Sequence, residues 1–321
     1  MPRVAAIDLG TNSTRLLVAD VDNGRIRELE RDMRVTRLGE GVDERRRLLP
    51  VPIARVRNVL SDYRRRLESL GAERALAIAT SAVRDAENGE AFLGEIEWSY
   101  GFSTQLLSGQ DEALMTFRGV TAERGLAQGT VILDIGGGST ELVFGGPDGV
   151  GWHDSLDIGS VRLTERHLPS DPPTADELTA CAAAVRSLLD ERVPEQVREE
   201  ATAVVGVAGT ITSLAALDLG LDEYDRDRVH GHVLPAEGLE RQLERLATLP
   251  IAERRQIRPL DPERAPVIVA GAVIACKALS FFGVDALEVS ERDILDGAAL
   301  AAAELPQEEE GAAPPGAYTC C

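Results

Sequence analysis

Lysine is almost absent from this chain, since Lys277 is the only one among 321 residues. Positive charge is scarce overall, because the formal net charge is −20. These shortages argue against a general nucleic-acid binder and against a polybasic membrane-surface protein. Any side-chain contact to an anion must therefore come from arginine, whose planar guanidinium suits bidentate contacts to phosphate.

Long apolar runs and a leader sequence are also missing. No segment reaches the roughly 18 consecutive apolar residues of a membrane helix, and the opening residues MPRVAAID lead directly into a strand pattern. A secretory signal needs a longer apolar stretch than this. We therefore expect a cytoplasmic protein with neither a signal peptide nor a membrane partner.

The motifs of several enzyme classes are absent. There is no GxSxG, no GxxxxGKS/T and no GxGxxG followed by a helix, so serine hydrolase, Walker NTPase and dinucleotide-binding functions lose support. The four cysteines lack zinc-site spacing, and His230 and His232 have no further ligand nearby in sequence. We interpret Cys181 and Cys276 as buried thiols. The final Cys320-Cys321 pair is interpreted as an incidental tail, because no basic stretch precedes it as in prenylated proteins.

What the chain does contain is one pattern that occurs twice. A short apolar strand, an aspartate, a turn of glycines and hydroxyls and a second apolar strand appear in IDLGTNSTRLLV (7–18) and in VILDIGGGSTELVF (131–144). Each copy predicts a hairpin whose tip can turn successive N–H groups toward an oxygen-rich ligand such as phosphate. One copy alone could be a plain turn, but two copies favour phosphate binding. The predicted phosphate-binding tip residues are Gly10, Thr11, Asn12, Ser13, Gly136, Gly137, Gly138, Ser139 and Thr140.

Acidic residues flank both tips. Asp8 and Asp134 end the first strand of each copy, where a carboxylate repels phosphate unless a hard cation such as Mg²⁺ or Mn²⁺ lies between them. Glu141 follows the second tip and is a candidate to hold a metal ion or a water, the alternative being a surface glutamate. Asp8, Asp134 and Glu141 are therefore the predicted metal ligands.

Three further segments carry candidate site residues. In LLSGQDEALMTFRGV (106–120), Asp111 and Glu112 lie in the first turn of a predicted helix, and one of them can orient or deprotonate a water, the alternative being that both are plain helix-start carboxylates. Arg84 follows a strand and can brace a phosphate, or else pair with Asp85 or Glu87. In VVGVAGTITSLAAL (204–217), Gly209 and Thr210 begin a helix, where an anion site or an ordinary cap is expected.

The length suits two domains, and the element pattern begins again at residue 131, which indicates an internal duplication with a boundary near residues 125–129. We predict domains at 1–125 and 126–292 and a disordered tail at 306–321. Besides the hairpins, strands are predicted at 26–38, 76–79, 104–107, 150–156, 203–207 and 286–289, and helices at 52–70, 90–100, 110–124, 264–282 and 294–303.

Taken in order, these segments resemble the exopolyphosphatase and guanosine pentaphosphate phosphohydrolase (Ppx/GppA) family. The resemblance also covers ATSAVRDAENG, SLDIGSVRLTE, ERRQIRPLDPERAPVIVAGAVI and VSERDILDGAAL. It implies an α/β fold of two ribonuclease-H-like domains with a central cleft, as in the acetate and sugar kinases, heat-shock chaperones and actin. It further implies that the helix at 293–305 joins the first domain, that Mg²⁺ takes part, and that the protein forms a homodimer.

The resemblance implies hydrolysis of a terminal phosphate. Glu112 matches the catalytic glutamate, and Asp134 and Glu141 match metal or catalytic carboxylates, so Glu112 and Glu141 are the predicted catalytic residues. Inorganic polyphosphate is the expected substrate, with pppGpp as the alternative. A kinase or clamp driven by ATP and a non-catalytic polyphosphate or nucleotide sensor are hypotheses of another class. The arginines predicted to line a basic cleft are Arg45, Arg46, Arg47, Arg84, Arg254 and Arg255.

Overall fold

The computed structural model describes residues 1–122 and 124–306. Apart from Pro306, the predicted disordered tail with its Cys320-Cys321 pair lies outside the described residues. The chain divides into two compact units. Unit 1 contains Met1–Arg124 together with the chain from Ile294 onward, and unit 2 contains Gly125–Asp293.

The first stretch of chain forms five strands and five helices of unit 1. The strands are β1 (Arg3–Leu9), β2 (Ser13–Asp22), β3 (Arg25–Val35), β4 (Arg74–Ala79) and β5 (Ser103–Leu106). The helices are α1 (Val42–Arg45), α2 (Pro50–Ser69), α3 (Ser81–Arg84), α4 (Gly89–Tyr100) and α5 (Gly109–Thr121).

Unit 2 follows, and the chain then returns to unit 1 for its last helix. The strands of unit 2 are β6 (Thr130–Ile135), β7 (Thr140–Gly146), β8 (Gly149–Leu156), β9 (Ala203–Val207), β10 (Val233–Pro235) and β11 (Ala286–Val289). Its helices are α6 (Ser160–His167), α7 (Ala175–Arg192), α8 (Glu195–Glu200), α9 (Ala208–Asp218), α10 (Arg226–Val229), α11 (Ala236–Thr248), α12 (Ile251–Arg254) and α13 (Ile268–Phe282), and the returning helix is α14 (Ile294–Glu304).

The two sheets share one topology. Unit 1 has the strand order β3-β2-β1-β4-β5, with β1 antiparallel to β2 and parallel to β4. Unit 2 has the order β8-β7-β6-β9-β11, and β10 is added antiparallel at the edge beside β11. Strand β6 is again antiparallel to its hairpin partner and parallel to the next strand. Both units are thus ribonuclease-H-like α/β folds, which confirms the predicted fold class, and the strand order of the first unit recurs in the second.

Unit 1 buries both faces of its sheet, because alternate residues of a strand point to opposite sides. Ile7 and Leu16 lie in one core, which also contains Tyr63 of α2. Ala6 and Leu17 lie in a second core with residues of α14. The last helix therefore packs against the first sheet and forms part of the core of unit 1.

The main core of unit 2 surrounds α13, whose residues are nearly all apolar and buried. Gly271 of α13 lets α9 approach closely, since a Cβ atom at this position would lie 2.5 Å from Thr210 Cγ2. The helix predicted over 264–282 begins only at Ile268. Pro266 disfavours helical backbone at the residue before it, and the chain there makes turns instead, with the Val267 amide donating to the Arg264 carbonyl at 3.0 Å.

The third strand is also shorter than predicted, ending at Val35 rather than at residue 38. Residues after Val35 leave the sheet and hydrogen-bond to the tip of the first hairpin.

Burial raises the pKa of the Cys181 thiol to about 11 and that of the Cys276 thiol to about 12. Within the described residues, no helix is long and apolar enough to cross a bilayer.

Candidate active site

The tip of the first hairpin, between β1 and β2, is closed by one backbone bond. The Gly10 amide donates to the Ser13 carbonyl at 3.0 Å. The carbonyls of the tip point toward the segment that follows β3: Asn12 accepts from the Thr36 amide at 3.0 Å, and Thr11 accepts from the Gly39 amide at 2.8 Å. A Cβ atom at Gly39 would lie 2.2 Å from Thr11 Cγ2, so glycine is required for this approach.

The tip of the second hairpin, between β6 and β7, is built in the same way. The Gly136 amide donates to the Ser139 carbonyl at 3.0 Å, and the Gly137 carbonyl accepts from the Val161 amide at 2.8 Å at the start of α6. Gly159 takes the role of Gly39, because a Cβ atom there would lie 2.4 Å from the Gly137 carbonyl carbon. Arg162, which is buried, adds a bond from Nε to the Gly138 carbonyl at 2.6 Å.

This construction leaves the tip amides available to a ligand. In the described part of the chain, no backbone carbonyl accepts from the amides of Thr11 and Asn12 or from those of Gly137 and Gly138. The Asn12 side-chain Oδ1 is also buried without a hydrogen-bond partner there. Consecutive amides that are not used by the protein form the concave donor sites that bind phosphate. The amides of both tips thus remain available to a ligand, and phosphate binding there stays a prediction.

The carboxylates beside the two tips have different partners. In unit 1, Asp8 lies opposite Arg15 across the hairpin, and its Oδ2 accepts from both Nε and Nη2 of Arg15 at 2.8 Å. In unit 2, Asp134 lies opposite Glu141, so two buried carboxylates occupy neighbouring positions on one face. Asp8 as a metal ligand stays a prediction, but its charge is already neutralised by an arginine.

The pair in unit 2 fits a hard divalent cation. Two like charges at directly opposite positions repel each other unless a proton or a cation lies with them. Glu141 is 1% exposed and is oriented by a bond from Ser155 Oγ to its Oε1 at 2.7 Å. Mg²⁺ needs only one or two carboxylates when waters and substrate phosphates complete its shell. Among the described residues, no group of three or more acidic, histidine or cysteine side chains is placed to bind a metal ion. A site with two carboxylates therefore suits Mg²⁺ only if water and substrate supply the other ligands.

The predicted catalytic glutamate and the predicted phosphate-binding arginine contact each other in unit 1. Arg84 Nη1 donates to Glu112 Oε2 at 3.1 Å and to the Leu107 carbonyl at 2.9 Å. Glu112 is 7% exposed. Over the described residues Arg84 has no ion pair with Asp85 or Glu87, so that alternative is wrong.

Helix α5 presents Glu112 because its first turn is capped. Ser108 Oγ accepts from the Asp111 amide at 3.1 Å and donates to Asp111 Oδ2 at 2.6 Å. The Glu112 amide donates to the Ser108 carbonyl at 2.9 Å. Asp111 is thus an exposed helix-cap residue, whereas Glu112 points into the protein beside Arg84.

A hydroxyl pair joins the first tip to the segment that carries Arg84. Thr11 Oγ1 lies 2.8 Å from Ser81 Oγ, and Ser81 begins α3, which ends at Arg84. Unit 1 therefore places a phosphate-loop tip, an arginine and a buried glutamate in one connected group. Sequence reasoning gave no role to Arg15, Ser155 or Arg162, because the contact of each depends on how the strands and loops pair in the fold.

The third predicted phosphate segment is less clearly a site. Ala208 adopts a φ of 65°, an uncommon value for a residue with a side chain, just before Gly209. A Cβ atom at Gly209 would lie 2.1 Å from Arg264 Nη1, so this guanidinium lies directly on the backbone. Thr210 packs toward α13 and is 3% exposed. Phosphate binding by Gly209 and Thr210 stays a prediction.

The prediction that Arg254 lines a basic cleft is wrong, because its side chain is buried. Arg254 is 2% exposed and donates to the Leu249 and Ala265 carbonyls at 3.0 Å and to Asp171 Oδ1 at 3.1 Å. Burial lowers the pKa of its guanidinium. Arg254 holds the turn before α13 and does not belong to a ligand surface. Arg255, Arg45, Arg46 and Arg47 are exposed.

Comparison with known proteins assigns this arrangement to a family. The model of the Ppx/GppA phosphatase family matches residues 17–303. The chain belongs to this family. It is 41% identical over 317 residues to exopolyphosphatase 2 of Mycobacterium tuberculosis, covering 94% of this chain and 99% of the relative.

Two other Ppx/GppA comparisons support the assignment. The crystal structure of the family member from Aquifex aeolicus matches with a TM-score of 0.77 and 32% identity, covering 94% of this chain and 97% of that one. A guanosine-5′-triphosphate,3′-diphosphate pyrophosphatase of Vibrio cholerae is 28% identical, covering 92% of this chain and 58% of the relative. The chain is thus similar in sequence both to a relative named as an exopolyphosphatase and to one named as a guanosine-5′-triphosphate,3′-diphosphate pyrophosphatase.

Proposed function

We propose that this Ppx/GppA protein is an exopolyphosphatase, which hydrolyses the terminal phosphoanhydride of inorganic polyphosphate and releases orthophosphate. The observation that carries the proposal is the buried Glu112 carboxylate, held by Arg84 at 3.1 Å in the unit that also contains a phosphate-loop tip. A fixed carboxylate is suited to activating water. The identity of 41% to an exopolyphosphatase over nearly the full length of both chains gives independent support.

Glu112 is the general base in this mechanism. The guanidinium of Arg84 fixes the orientation of the carboxylate through its contact at 3.1 Å. The carboxylate accepts a proton from the attacking water, and the water oxygen forms a bond to the terminal phosphorus as the bond to the bridging oxygen breaks. The shortened polyphosphate leaves with the electron pair of that bond.

The hairpin tips stabilise the charge on the phosphoryl oxygens. Phosphoryl transfer depends mainly on positioning and on donors that are already in place, and several amides at one tip supply both. The tips need little reorganisation, because their carbonyls are already held by the segments around Gly39 and Gly159.

Asp134 and Glu141 would hold the divalent cation, Mg²⁺ or Mn²⁺. When bound, such a cation neutralises negative charge on the phosphate oxygens. The hydrogen bond from Ser155 Oγ to Glu141 Oε1 orients the Glu141 carboxylate. The proposal also includes a cytoplasmic location, which is the expectation from the sequence pattern, and a homodimer, which rests on the resemblance to the family.

Hydrolysis of pppGpp to ppGpp is the second candidate, since both substrates end in the same phosphate group. A relative named as a pyrophosphatase of guanosine 5′-triphosphate 3′-diphosphate favours keeping it. Initial rates with polyphosphates of several lengths and with pppGpp, measured side by side, decide between them. Faster turnover of polyphosphate supports the proposal, and negligible release from every polyphosphate would rule it out.

A further inference from the structure

Unit 1 contains a cavity whose lining includes none of the phosphate-loop residues and neither Arg84 nor Glu112. Its volume is about 540 Å³, and it lies where α1 leads into α2. Arg45, Arg47 and Arg57 contribute to the lining, together with apolar residues that include Leu49 and Ile53. This volume is within the usual range of small-molecule sites, about 300–1,000 Å³.

The wall of this cavity is held in place by the protein. Asn88 accepts from the Leu48 amide at 2.8 Å through Oδ1 and donates to the Leu48 carbonyl at 3.1 Å through Nδ2. The Glu87 amide donates to the Arg46 carbonyl at 2.8 Å. The cavity is therefore preformed, and a ligand does not have to order it.

The cavity carries positive charge that the protein itself does not neutralise. Arg57 is bound by Glu95 through two contacts at 2.7 and 2.6 Å. In contrast, the guanidiniums of Arg45 and Arg47 have no hydrogen-bond or ion-pair partner in the part of the chain that is described, and both are exposed. In a protein with a net charge of −20, two such arginines beside one cavity indicate an anionic ligand.

The apolar part of the lining restricts the chemistry of that ligand. Inorganic polyphosphate has no apolar surface, so it gains nothing from covering Leu49 and Ile53. A ligand that covers apolar surface gains about 25 cal/mol per Å², and a planar base can also stack on a guanidinium. We propose that this cavity binds a nucleoside di- or triphosphate, with its phosphates at Arg45 and Arg47 and its base over the apolar wall. The proposal does not rest on the hydrolytic function.

Binding of GDP, measured by calorimetry without divalent cations, tests this proposal, with tripolyphosphate as the comparison ligand. In the double variant Arg45→Gln, Arg47→Gln we expect the Kd for GDP to rise about tenfold or more, as for the loss of charged hydrogen bonds. Arg46→Gln is the matched control, because Arg46 belongs to the same run but does not line the cavity; its Kd should change less than about twofold.

Ile53→Ser separates a nucleotide site from a simple polyanion patch. It should weaken GDP binding by about threefold or more, as expected for lost apolar contact, and leave tripolyphosphate binding unchanged. Three results would overturn the proposal: no GDP binding to the unmodified protein, an unchanged Kd in the double arginine variant, or equal effects of Ile53→Ser on the two ligands. Thermal unfolding midpoints verify that each variant is folded, and Arg47→Gln alone serves if the double variant is not.

Discussion

Asp111 and Glu112 are adjacent carboxylates with different surroundings. Asp111 is exposed and is bound by the hydroxyl of Ser108, whereas Glu112 is buried and paired with Arg84. The helical geometry of α5 separates them, because consecutive residues of a helix point about 100° apart. Of the two, Glu112 is therefore the carboxylate that we propose acts on a water.

Replacement of Glu112 by glutamine therefore tests the general base. We expect Glu112→Gln to lower the rate of orthophosphate release by about 10²–10⁴-fold, the usual worth of general-base catalysis. Binding of polyphosphate should persist, since the hairpin tips are unchanged. Asp111→Asn is the matched control and should retain most of the activity. Unchanged turnover in Glu112→Gln would remove Glu112 from this role.

Asp8 and Asp134 occupy equivalent positions, but the residue across the hairpin gives them different chemistry. Arg15 neutralises Asp8, whereas Glu141 adds a second negative charge to Asp134. The cation is therefore expected at the second hairpin.

We expect Glu141→Gln to raise the Mg²⁺ concentration needed for half-maximal activity by at least about tenfold, since even the loss of an outer-shell partner costs about 10–100-fold in metal affinity. Activity titrated against Mg²⁺ measures this change. Asp157→Asn is the control, because Asp157 is 75% exposed and makes only a contact of 4.0 Å with Arg162. Equal Mg²⁺ requirements in all three proteins would place the cation elsewhere.

The hairpins depend on two glycines that lie outside them. Gly39 and Gly159 belong to the segments that hold the tip carbonyls, and neither position has room for a side chain. The direction in which the tip amides point is therefore set by a neighbouring element as well as by the tip sequence.

Gly159→Ala should disturb the second tip. Its Cβ would lie 2.4 Å from the Gly137 carbonyl, so we expect a loss of about 1–3 kcal/mol in the free energy of unfolding, as for other overpacked sites, together with a marked loss of activity. Gly94→Ala is the control, because nothing lies within 4 Å of a Cβ in α4, and alanine there should stabilise by about 0.5–1 kcal/mol. Urea unfolding and phosphate release measure both effects. Full activity in Gly159→Ala would show that the tip tolerates displacement.

The sequence predicts the hairpins well, because apolar alternation and glycine-rich turns are local signals. It also places Asp111 and Glu112 at a helix start, but only the resemblance to the family distinguishes Glu112 from Asp111. It does not predict that Arg84 pairs with Glu112, since 28 residues separate them and only the parallel pairing of β4 with β5 brings their strands together. The prediction that Arg254 lines the basic cleft was wrong, because a sequence does not show that backbone carbonyls enclose its guanidinium.

After unit 2, the chain returns to unit 1 for its last helix. Helix α14 covers one face of the first sheet and is tied to it by Arg31, whose Nη2 lies 3.0 Å from both oxygens of Asp296. Asp296 is fully buried. A second ion pair, Arg118 with Glu304, lies at the exposed end of the same helix.

These two ion pairs should differ in their effect on stability. Asp296→Asn removes a fully buried carboxylate from Arg31 and leaves this arginine with the more exposed Glu28, 2.9 Å from its Nε, as a charge partner. We expect unit 1 to lose about 3 kcal/mol in the free energy of unfolding. Glu304→Gln should cost less than about 1 kcal/mol, since exposed pairs contribute little. Urea unfolding compares the two variants. Equal losses would mean that α14 is not held through Asp296.

The product pattern from long-chain polyphosphate is the decisive test of the hydrolytic function. A base that acts on the terminal phosphorus should release orthophosphate from the first time point, while the remaining chains shorten gradually from their ends. Gel electrophoresis of the chains, combined with an orthophosphate assay, follows both quantities. The account predicts orthophosphate as the small product throughout; fragments of intermediate length that form before orthophosphate, or no orthophosphate at all, would contradict it.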